Sequence, residues 1–295
     1  MVSIGGIKML LSLLVNSFLN GSIYMLLAVG FSLVFGVAGV VNLYHGAYYM
    51  LAGYLAYTMF SIWSFPLWLS CVVAVFLVGM LGVFIMRVPL TYLKNTKKES
   101  SLLIFTLGAS YFTEYLLRLI FGARHYSLPS FMWESVNLLG ETIPGARVFA
   151  TITSIVCIVL TVLFLKTSRT GREIVATSQD RLGAEAIGID TTRVFAITAF
   201  ISAALAGIAG VAVSPFLAIS PVMWLPALIK PFSIVILGGL GSIWGTIIAS
   251  FLMGFGETLV ATYWTPNLRE IVFLIAVIIV LIIRPKGLLG GVKGA

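Results

Sequence analysis

Long uncharged apolar runs recur from one end of this chain to the other, and they constrain its fold more than any other feature. A hydrocarbon core about 30 Å thick requires roughly 20 apolar residues per crossing helix. The chain is 60% hydrophobic and 9% charged, whereas ordinary soluble domains are about 25% charged. The runs are 9–41, 46–63, 66–86, 100–121, 148–165, 194–220, 231–256 and 271–283. They predict an all-α polytopic membrane protein, one domain over residues 1–295 with about eight transmembrane helices.

The count of crossings stays at eight or nine, because polar residues interrupt the run 9–41 and glycines interrupt 231–256. Loops rich in Lys and Arg stay on the cytoplasmic side of a membrane. Positive residues collect at Arg87 to Lys98, in the segment 166–193, and in the tail at Arg284, Lys286 and Lys293. These three clusters are therefore predicted to share the inner face, with the loops 122–147 and 213–228 outside. The side of the N-terminus stays open.

The segment 166–193 is the most highly charged part of the chain, with five basic and four acidic residues between two apolar runs. Thr170 and Glu173 have the spacing of a capping box, which predicts a helix beginning at Gly171. Gly183 weakens such a helix midway, and Gly188 suits the left-handed position that ends one. We predict one or two short helices on the inner face, followed by a span capped by Thr191 or Thr192. Their apolar stripe is Ile174, Val175, Ser178, Leu182 and Ala186.

Two interpretations of this segment compete. A passive solvated tether needs neither balanced charge nor a capped helix, whereas a docking surface for another protein uses an apolar stripe with a mixed-charge rim. We favour docking. The polar residues off the stripe are Arg172, Gln179, Asp180 and Arg181.

Ionisable residues inside spans are costly, so each calls for a partner or a use. Glu114 and Arg118 stand four residues apart on one helix and are predicted to form an ion pair. Glu257 has no local partner, and it either faces a central pathway or lies near an interface. His45 is predicted to be an interface or a hydrogen-bonded core residue, and not a ligand or proton carrier. Lys230, between two prolines, is predicted to lie in an irregular segment.

The glycine cluster at 237–245 lacks the strand and soluble context of a phosphate-binding loop. Gly238, Gly239 and Gly241 are more plausible as a site of close helix packing or a helix break, and broken helices often line a substrate path.

Several function classes are excluded or disfavoured by what the chain lacks. No G-x-x-x-x-G-K-[ST] loop occurs, so ATP hydrolysis by that route requires a partner. Two isolated histidines and two cysteines within apolar runs form no catalytic or metal-binding constellation, so we expect no enzyme, no catalytic residues and no metal. The net charge of +8 is distributed over membrane-flanking loops, which argues against nucleic acid as a partner.

Four motifs in order resemble those of one family. They are NLYHGAYYMLAGY at 42–54, GREIVATSQDRLGAEAIGID at 171–190, IKPFSIVILGGLGSIWG at 229–245 and RPKGLLG at 284–290. The chain resembles the permease subunits of ABC transporters for branched-chain amino acids, the LivH/LivM type. In that family the segment after the middle spans is the coupling element that seats in the ATPase, and the resemblance puts Glu185, Ala186 and Gly188 at its heart. The motif NLYHG raises the chance that Asn42 and His45 shape a turn beside the pathway.

The resemblance implies a multi-pass permease of the plasma or inner membrane that carries amino acids using ATP hydrolysed by a separate subunit. The implied partners are cytoplasmic ATPases, a second and usually different permease, and an extracytoplasmic solute-binding protein. No cofactor of its own is expected. Candidate pathway residues are Asn42, His45, Gly238, Gly239, Gly241 and Glu257. A gradient-driven carrier or channel remains the alternative, as do urea, amides or other amino acids as solutes.

Overall fold

A computed structural model describes residues 2–92, 98–138, 141–265, 268–284 and 286–289. Six of its helices are long and apolar enough to cross a membrane. The prediction of an all-α polytopic membrane protein is thereby confirmed, and the number of crossings beyond those six stays a prediction.

Eleven α-helices lie in the described part of the chain. They are α1 (Val2–Ala38), α2 (His45–Tyr57), α3 (Leu67–Tyr92), α4 (Lys98–Phe121), α5 (Gly145–Thr167), α6 (Arg169–Gln179), α7 (Arg181–Ala186), α8 (Thr191–Val213), α9 (Trp224–Gly238), α10 (Ile243–Tyr263) and α11 (Arg269–Ile283). A π-helical turn, Thr58–Ile62, extends α2. A small antiparallel hairpin joins β1 (Val136–Leu138) to β2 (Glu141–Ile143) between α4 and α5. Residues 93–97 of the first positive cluster and Lys293 of the tail lie outside the described residues.

The runs 9–41 and 231–256, for which the number of crossings was left open, form different numbers of helices. The run 9–41 forms the single helix α1, so it crosses once. The run 231–256, in which the glycines left the number of elements open, is divided between two helices, because the chain reverses between α9 and α10. The reversal is possible because Gly239 and Gly241 adopt φ angles of 106° and 81°, where a side chain is strained.

The prediction of an irregular segment around Lys230 is wrong. Helix α9 continues through this residue from Trp224 to Gly238. Pro226 lies in the first turn of α9, where backbone N–H groups form no hydrogen bond within the helix, so a proline costs no such bond there. Pro231 removes only one bond from the interior.

Helix α1 is the centre of the bundle and packs against α5, α8, α9 and α10. Its closest approach to α10 depends on small residues, because a methyl group at Gly254 would lie 2.7 Å from the backbone nitrogen of Gly21. Small residues at such crossings let helix backbones approach closely, which replaces the hydrophobic driving force that lipid does not supply. Helices α4 and α5 are the least buried of the six long ones, with 28% and 33% of their apolar windows covered.

Contacts at the two ends of α1 show which connections lie together. In its N-terminal half, Asn16 accepts a hydrogen bond from Arg147 at the beginning of α5. Near its end, Gly36 approaches Ser178 of α6. With the inner face assigned from the positive clusters, the N-terminal end of α1 therefore lies on the outer side. The two predicted outer loops also meet, where Tyr126 pairs with Ile219.

Candidate functional site: a charged cavity and an exposed helix pair

A cavity of about 650 Å³ lies between α1, α5, α9, α10 and the start of α11. Its polar lining includes Asn16, Asn20, Tyr24, Arg147, Lys230, Glu257 and Arg269. Because Arg147 and Arg269 lie in the first turns of α5 and α11, at helix ends on the predicted outer side, the cavity is reached from that side. Its volume is within the usual range of about 300–1,000 Å³ for small-molecule sites.

A buried ion pair forms the inner wall of this cavity. The Lys230 ammonium lies 2.8 Å from one carboxylate oxygen of Glu257 and donates to the Tyr24 hydroxyl at 2.9 Å. The Tyr24 hydroxyl donates in turn to the other Glu257 oxygen. The side chains of Glu257 and Lys230 are 4% and 20% exposed, so each charge depends on its partner for compensation. The ammonium also lies 5.2 Å from the centre of the Phe273 ring.

Glu257 has no ionic partner nearby in the sequence, but its charge is paired in the structure. Its partner is 27 residues away on α9. Of the candidate pathway residues, Glu257 is the one that lines the cavity.

Arg147 extends from α5 to the opposite wall. Its two terminal nitrogens donate to the side-chain oxygens of Asn16 at 3.0 Å and Asn20 at 2.9 Å. These asparagines interrupt the apolar run of α1 because their amide oxygens hold a guanidinium from another helix. Asn20 is itself tied to α10, since its amide nitrogen donates to Thr258 at 3.2 Å.

The predicted pair of Glu114 and Arg118 is confirmed, with 2.6 Å between carboxylate and guanidinium. The second Glu114 oxygen accepts a hydrogen bond of 2.6 Å from the indole of Trp224, which is 1% exposed. The carboxylate therefore anchors the start of α9 to α4.

Asn42 and His45 lie at a break in the helices, as the motif NLYHG predicts. Residues 39–44 are non-helical, and the Asn42 side chain closes their turn by accepting from the Tyr44 N–H at 3.0 Å. His45 is 1% exposed and its Nε2 lies 3.0 Å from the carbonyl of Leu27. Of the predicted roles, that of a hydrogen-bonded core residue is confirmed. Leu27 lines the cavity, so His45 contacts the cavity wall through this residue.

The glycine turn between α9 and α10 confirms the predicted helix break and close packing. Gly238 lies against Gly245, and Gly241 approaches Gly36 of α1. The C-terminal residues Leu288 and Leu289 donate backbone hydrogen bonds of 2.8 and 3.0 Å to the last carbonyls of α9. The turn therefore lies at the inner end of the bundle, away from the outer cavity.

The charged segment forms two helices, α6 and α7, which confirms the prediction of one or two short helices. Its details differ from the prediction. Ser168 caps α6 by accepting from the Gly171 N–H at 2.8 Å, so the cap is not Thr170. The break between the helices is at Asp180, whose backbone is extended, and not at Gly183. Gly188 has a φ of 84° and ends α7, as predicted.

The cap of α8 is also different from the predicted one. Asp190 accepts from the N–H groups of Thr192 and Arg193 at 3.0 and 3.1 Å, in place of Thr191 or Thr192. The Thr191 hydroxyl instead donates to Glu185 at 2.8 Å. A carboxylate is the stronger cap because it is charged and lies at the positive end of the helix dipole.

All of the predicted coupling residues are exposed on α6 and α7. They are Arg172, Gln179, Asp180, Arg181, Glu185, Ala186 and Gly188. The apolar stripe is partly wrong, because the break at Asp180 turns α7 relative to α6. Ile174 is 2% exposed, whereas Leu182 is 78% exposed. Together with Ile187, 77% exposed, Leu182 gives this helix pair an apolar surface toward the aqueous side.

The α6–α7 pair is tied to the bundle that forms the cavity. Helix α6 packs against α1, α5 and α8. Ser178 of α6 and Gly241 of the glycine turn both approach Gly36 of α1. At the inner end of α5, the Lys166 ammonium lies 5.3 Å from the ring centre of Trp244 on α10.

Glu185 stabilises the end of α7 through its carboxylate, and this contact predicts a pH dependence. The Thr191 hydroxyl, and then the Arg181 guanidinium, lower the pKa of Glu185 below its ordinary value. A lowered pKa means that the contact stabilises the folded helix above the ordinary pKa, about 4.3, and is lost as the pH falls through the lowered value. We expect hydrogen-exchange protection of amides 184–189, corrected for the intrinsic rate, to decrease only in that acidic range. Thr191→Val is expected to move the loss to higher pH. Thr192→Val is the matched control, and an identical profile for all three proteins would contradict the assignment.

The sequence matches a known family over almost its whole length. The model of the family described as "Branched-chain amino acid transport system / permease component" matches residues 13–281. The chain belongs to this family of transport permeases. The family consists of permeases, not enzymes.

Several relatives match the permease over more than nine-tenths of its length. It is 32% identical to the high-affinity branched-chain amino acid transport system permease protein LivH of Escherichia coli K12, over 93% of this chain and 94% of that protein. It is 29% identical to the corresponding protein BraD of Pseudomonas aeruginosa, over 94% of each chain. A probable LivH permease of Methanocaldococcus jannaschii is 24% identical, over 97% of this chain and 93% of that protein. No solved structure matches the permease.

Sequence reasoning missed most of the cavity of this permease. Arg147 belongs to the loop 122–147 that was predicted to lie outside, and Asn16 and Asn20 are among the polar residues that interrupt the run 9–41. A usable signal was present, because polar residues inside an apolar run four positions apart face the same side of a helix. Which charge they meet depends on packing between α1 and α5.

Proposed function

We propose that this chain is the membrane permease subunit of an ABC importer for branched-chain amino acids, driven by ATP that separate subunits hydrolyse. The match to the permease family over residues 13–281 carries this proposal. The proposed partners are cytoplasmic ATPase subunits, a second permease and an extracytoplasmic solute-binding protein. The permease itself requires no cofactor in this scheme.

The ATPase is proposed to bind the exposed face of α6 and α7. Leu182 and Ile187 provide the apolar centre of the surface, and exposed charged residues such as Arg172, Arg181 and Glu185 surround it. This distribution suits a docking site, in which a few desolvated apolar side chains supply most of the binding free energy.

Movement of α6 has a direct path to the outer cavity. Helix α6 packs on α1 and α5, which both contribute to the cavity wall. The glycine turn beside Gly36 brings α1 into close contact with the turn between α9 and α10. Closing of the ATPases would shift α6 and so change the spacing of these helices around the solute.

A gradient-driven carrier is less well supported by the site. Proton-coupled carriers use buried carboxylates that are free to change protonation. Glu257 is the acidic side chain among the described residues that line the cavity, and it is held by Lys230 and Tyr24. Uptake into energised vesicles that contain no ATP would favour the carrier.

Co-purification with the ATPase tests the proposed docking surface. We expect a tagged full-length chain, expressed with the other subunits of its transport system, to retain the ATPase. Leu182→Glu combined with Ile187→Glu is expected to reduce retention about tenfold or more, because each change puts a charge into the apolar centre. Leu138→Glu is the matched control, since Leu138 is 40% exposed on the opposite side in the β1–β2 hairpin.

Two outcomes would contradict the proposal. One is that the wild-type complex never retains an ATPase. The other is that the double variant retains ATPase and transports amino acids as well as the Leu138→Glu control does.

A further inference from the structure

The outer cavity contains more positive than negative charge. Three basic side chains, Arg147, Lys230 and Arg269, line it together with one described acidic side chain, Glu257. Because Glu257 neutralises Lys230, the two arginines remain without an acidic partner in the cavity. Glu270 lies along a separate small cleft on the other side of Lys230.

Arg147 carries the deeper of these two uncompensated charges. A guanidinium has five N–H donors, and the amide oxygens of Asn16 and Asn20 each accept one bond from it. Those amides are dipoles and not anions, so they orient the guanidinium without cancelling its charge. A charge that is held in position and left unbalanced in a partly apolar cavity is arranged to receive an anion.

The rest of the wall selects the shape of the ligand. The cavity wall also contains apolar side chains, namely those of Leu13, Ile23, Leu27, Phe216 and Met223. A small molecule with an anionic group at one end and an aliphatic chain at the other would satisfy both surfaces. A planar carboxylate fits a guanidinium through two parallel hydrogen bonds.

We propose that this cavity binds the carboxylate of the transported solute at Arg147, with Asn16 and Asn20 holding the guanidinium in place. The aliphatic side chain of the solute lies against the apolar wall. Its ammonium group has no free carboxylate to bind among the described cavity residues, because Glu257 is engaged by Lys230 and Tyr24. The inference rests on the proposed transport function and extends it: carboxylates enter the cavity, whereas urea and amides do not.

The carboxylate requirement is tested by measuring how three related compounds bind to the purified full-length permease in lipid nanodiscs. The permease is used together with any subunits that it retains. The compounds are L-leucine, 4-methylpentanoate, which lacks the ammonium group, and L-leucinamide, which lacks the carboxylate. We expect leucine and 4-methylpentanoate to raise the thermal unfolding temperature in a saturable way. Leucinamide, and sodium chloride at equal concentration, are expected to cause no saturable shift.

Variants assign the effect to Arg147. Arg147→Met is expected to raise the Kd for leucine and 4-methylpentanoate at least tenfold, because charged hydrogen bonds contribute roughly that factor. Asn16→Asp is the sharper test, since it retains the guanidinium and its packing but supplies an internal carboxylate that competes with the solute. It is expected to have the same effect. The matched controls are Arg124→Met and Asn137→Asp, two exposed positions near the same outer side but not in the cavity wall.

The results separate this inference from the transport function. Equal shifts by leucinamide or chloride, no shift by any compound, or unchanged binding by Asn16→Asp would each overturn the carboxylate site. None of these results affects ATPase retention, which tests the permease function independently. A permease that retains its ATPase but binds leucinamide as well as leucine is a transporter without this site.

Discussion

Glu257→Leu is expected to lower the free energy of unfolding of this permease by about 3–5 kcal/mol, because it leaves the Lys230 ammonium buried without its anion. The carboxylate is 4% exposed and 2.8 Å from the ammonium, so its removal takes away the charge that compensates Lys230. The Tyr24 hydroxyl also loses its acceptor. Unfolding of the purified protein in mixed micelles, followed by circular dichroism during denaturant titration, measures the change.

The double variant Lys230→Met with Glu257→Leu separates the cost of an orphaned charge from the value of the pair. Replacing both members of a buried pair by apolar residues of similar size is often neutral or stabilising. The double variant is therefore expected to recover most of the stability lost by Glu257→Leu. Glu134→Leu, at an exposed carboxylate of the outer loop, is the control and is expected to change stability little. If Glu257→Leu is as stable as this control, the ion pair does not compensate a buried charge.

Gly210→Ala is expected to destabilise the fold by about 1–3 kcal/mol or more, because the added methyl group overpacks the contact between α8 and α2. That group would lie 2.9 Å from the carbonyl carbon of Tyr49 and still closer to its oxygen. Backbone atoms of α2 cannot move aside as a flexible side chain would, so the two helices must separate. The same titration in mixed micelles measures the loss.

Gly108→Ala is the matched control for this prediction. Gly108 also lies within a long helix, and a methyl group there meets no atom within 4 Å. Alanine is intrinsically better than glycine inside a helix by about 1 kcal/mol, so the control is expected to be unchanged or more stable. A similar loss of stability in both variants would contradict the packing argument.

The two predictions concern different kinds of contact in the same bundle. Glu257 connects α10 to α9 through charge, whereas Gly210 connects α8 to α2 through the absence of a side chain. Both contacts hold helices around the cavity, since Lys230 and Glu257 line it from α9 and α10, and Tyr49 and Val213 line it from α2 and α8. Loss of either is expected to reduce transport as a consequence of reduced stability.

The α6–α7 segment shows how far local patterns carry a prediction. Its charge and glycine pattern predicted short helices ending at Gly188, and both features depend on residues next to one another in the chain. The cap was misassigned because Ser168 and Thr170 are both suitable residues. Which one serves is decided by where α5 ends, since the Ser168 hydroxyl also donates to Phe164 of that helix.

The cavity could not be predicted from patterns of neighbouring residues. Arg147 is 131 residues from Asn16, and Lys230 is 206 residues from Tyr24. No periodicity within one segment indicates which of several helices a polar side chain will face. The sequence also could not identify the partner of Glu257, because Lys230 comes from a helix that was predicted to be irregular.

By itself the sequence determined that this protein spans a membrane, where its main apolar helices lie, and which charged segment between the spans forms short helices. Those properties follow from apolar length, charge and capping over consecutive residues, because crossing a bilayer is decided one helix at a time. Only the tertiary structure decided which charges are paired, which guanidinium is left to receive an anion, and where α9 and α10 separate. Such properties depend on distances between helices that are far apart in the chain, and the close packing at glycines such as Gly210 and Gly254 sets those distances.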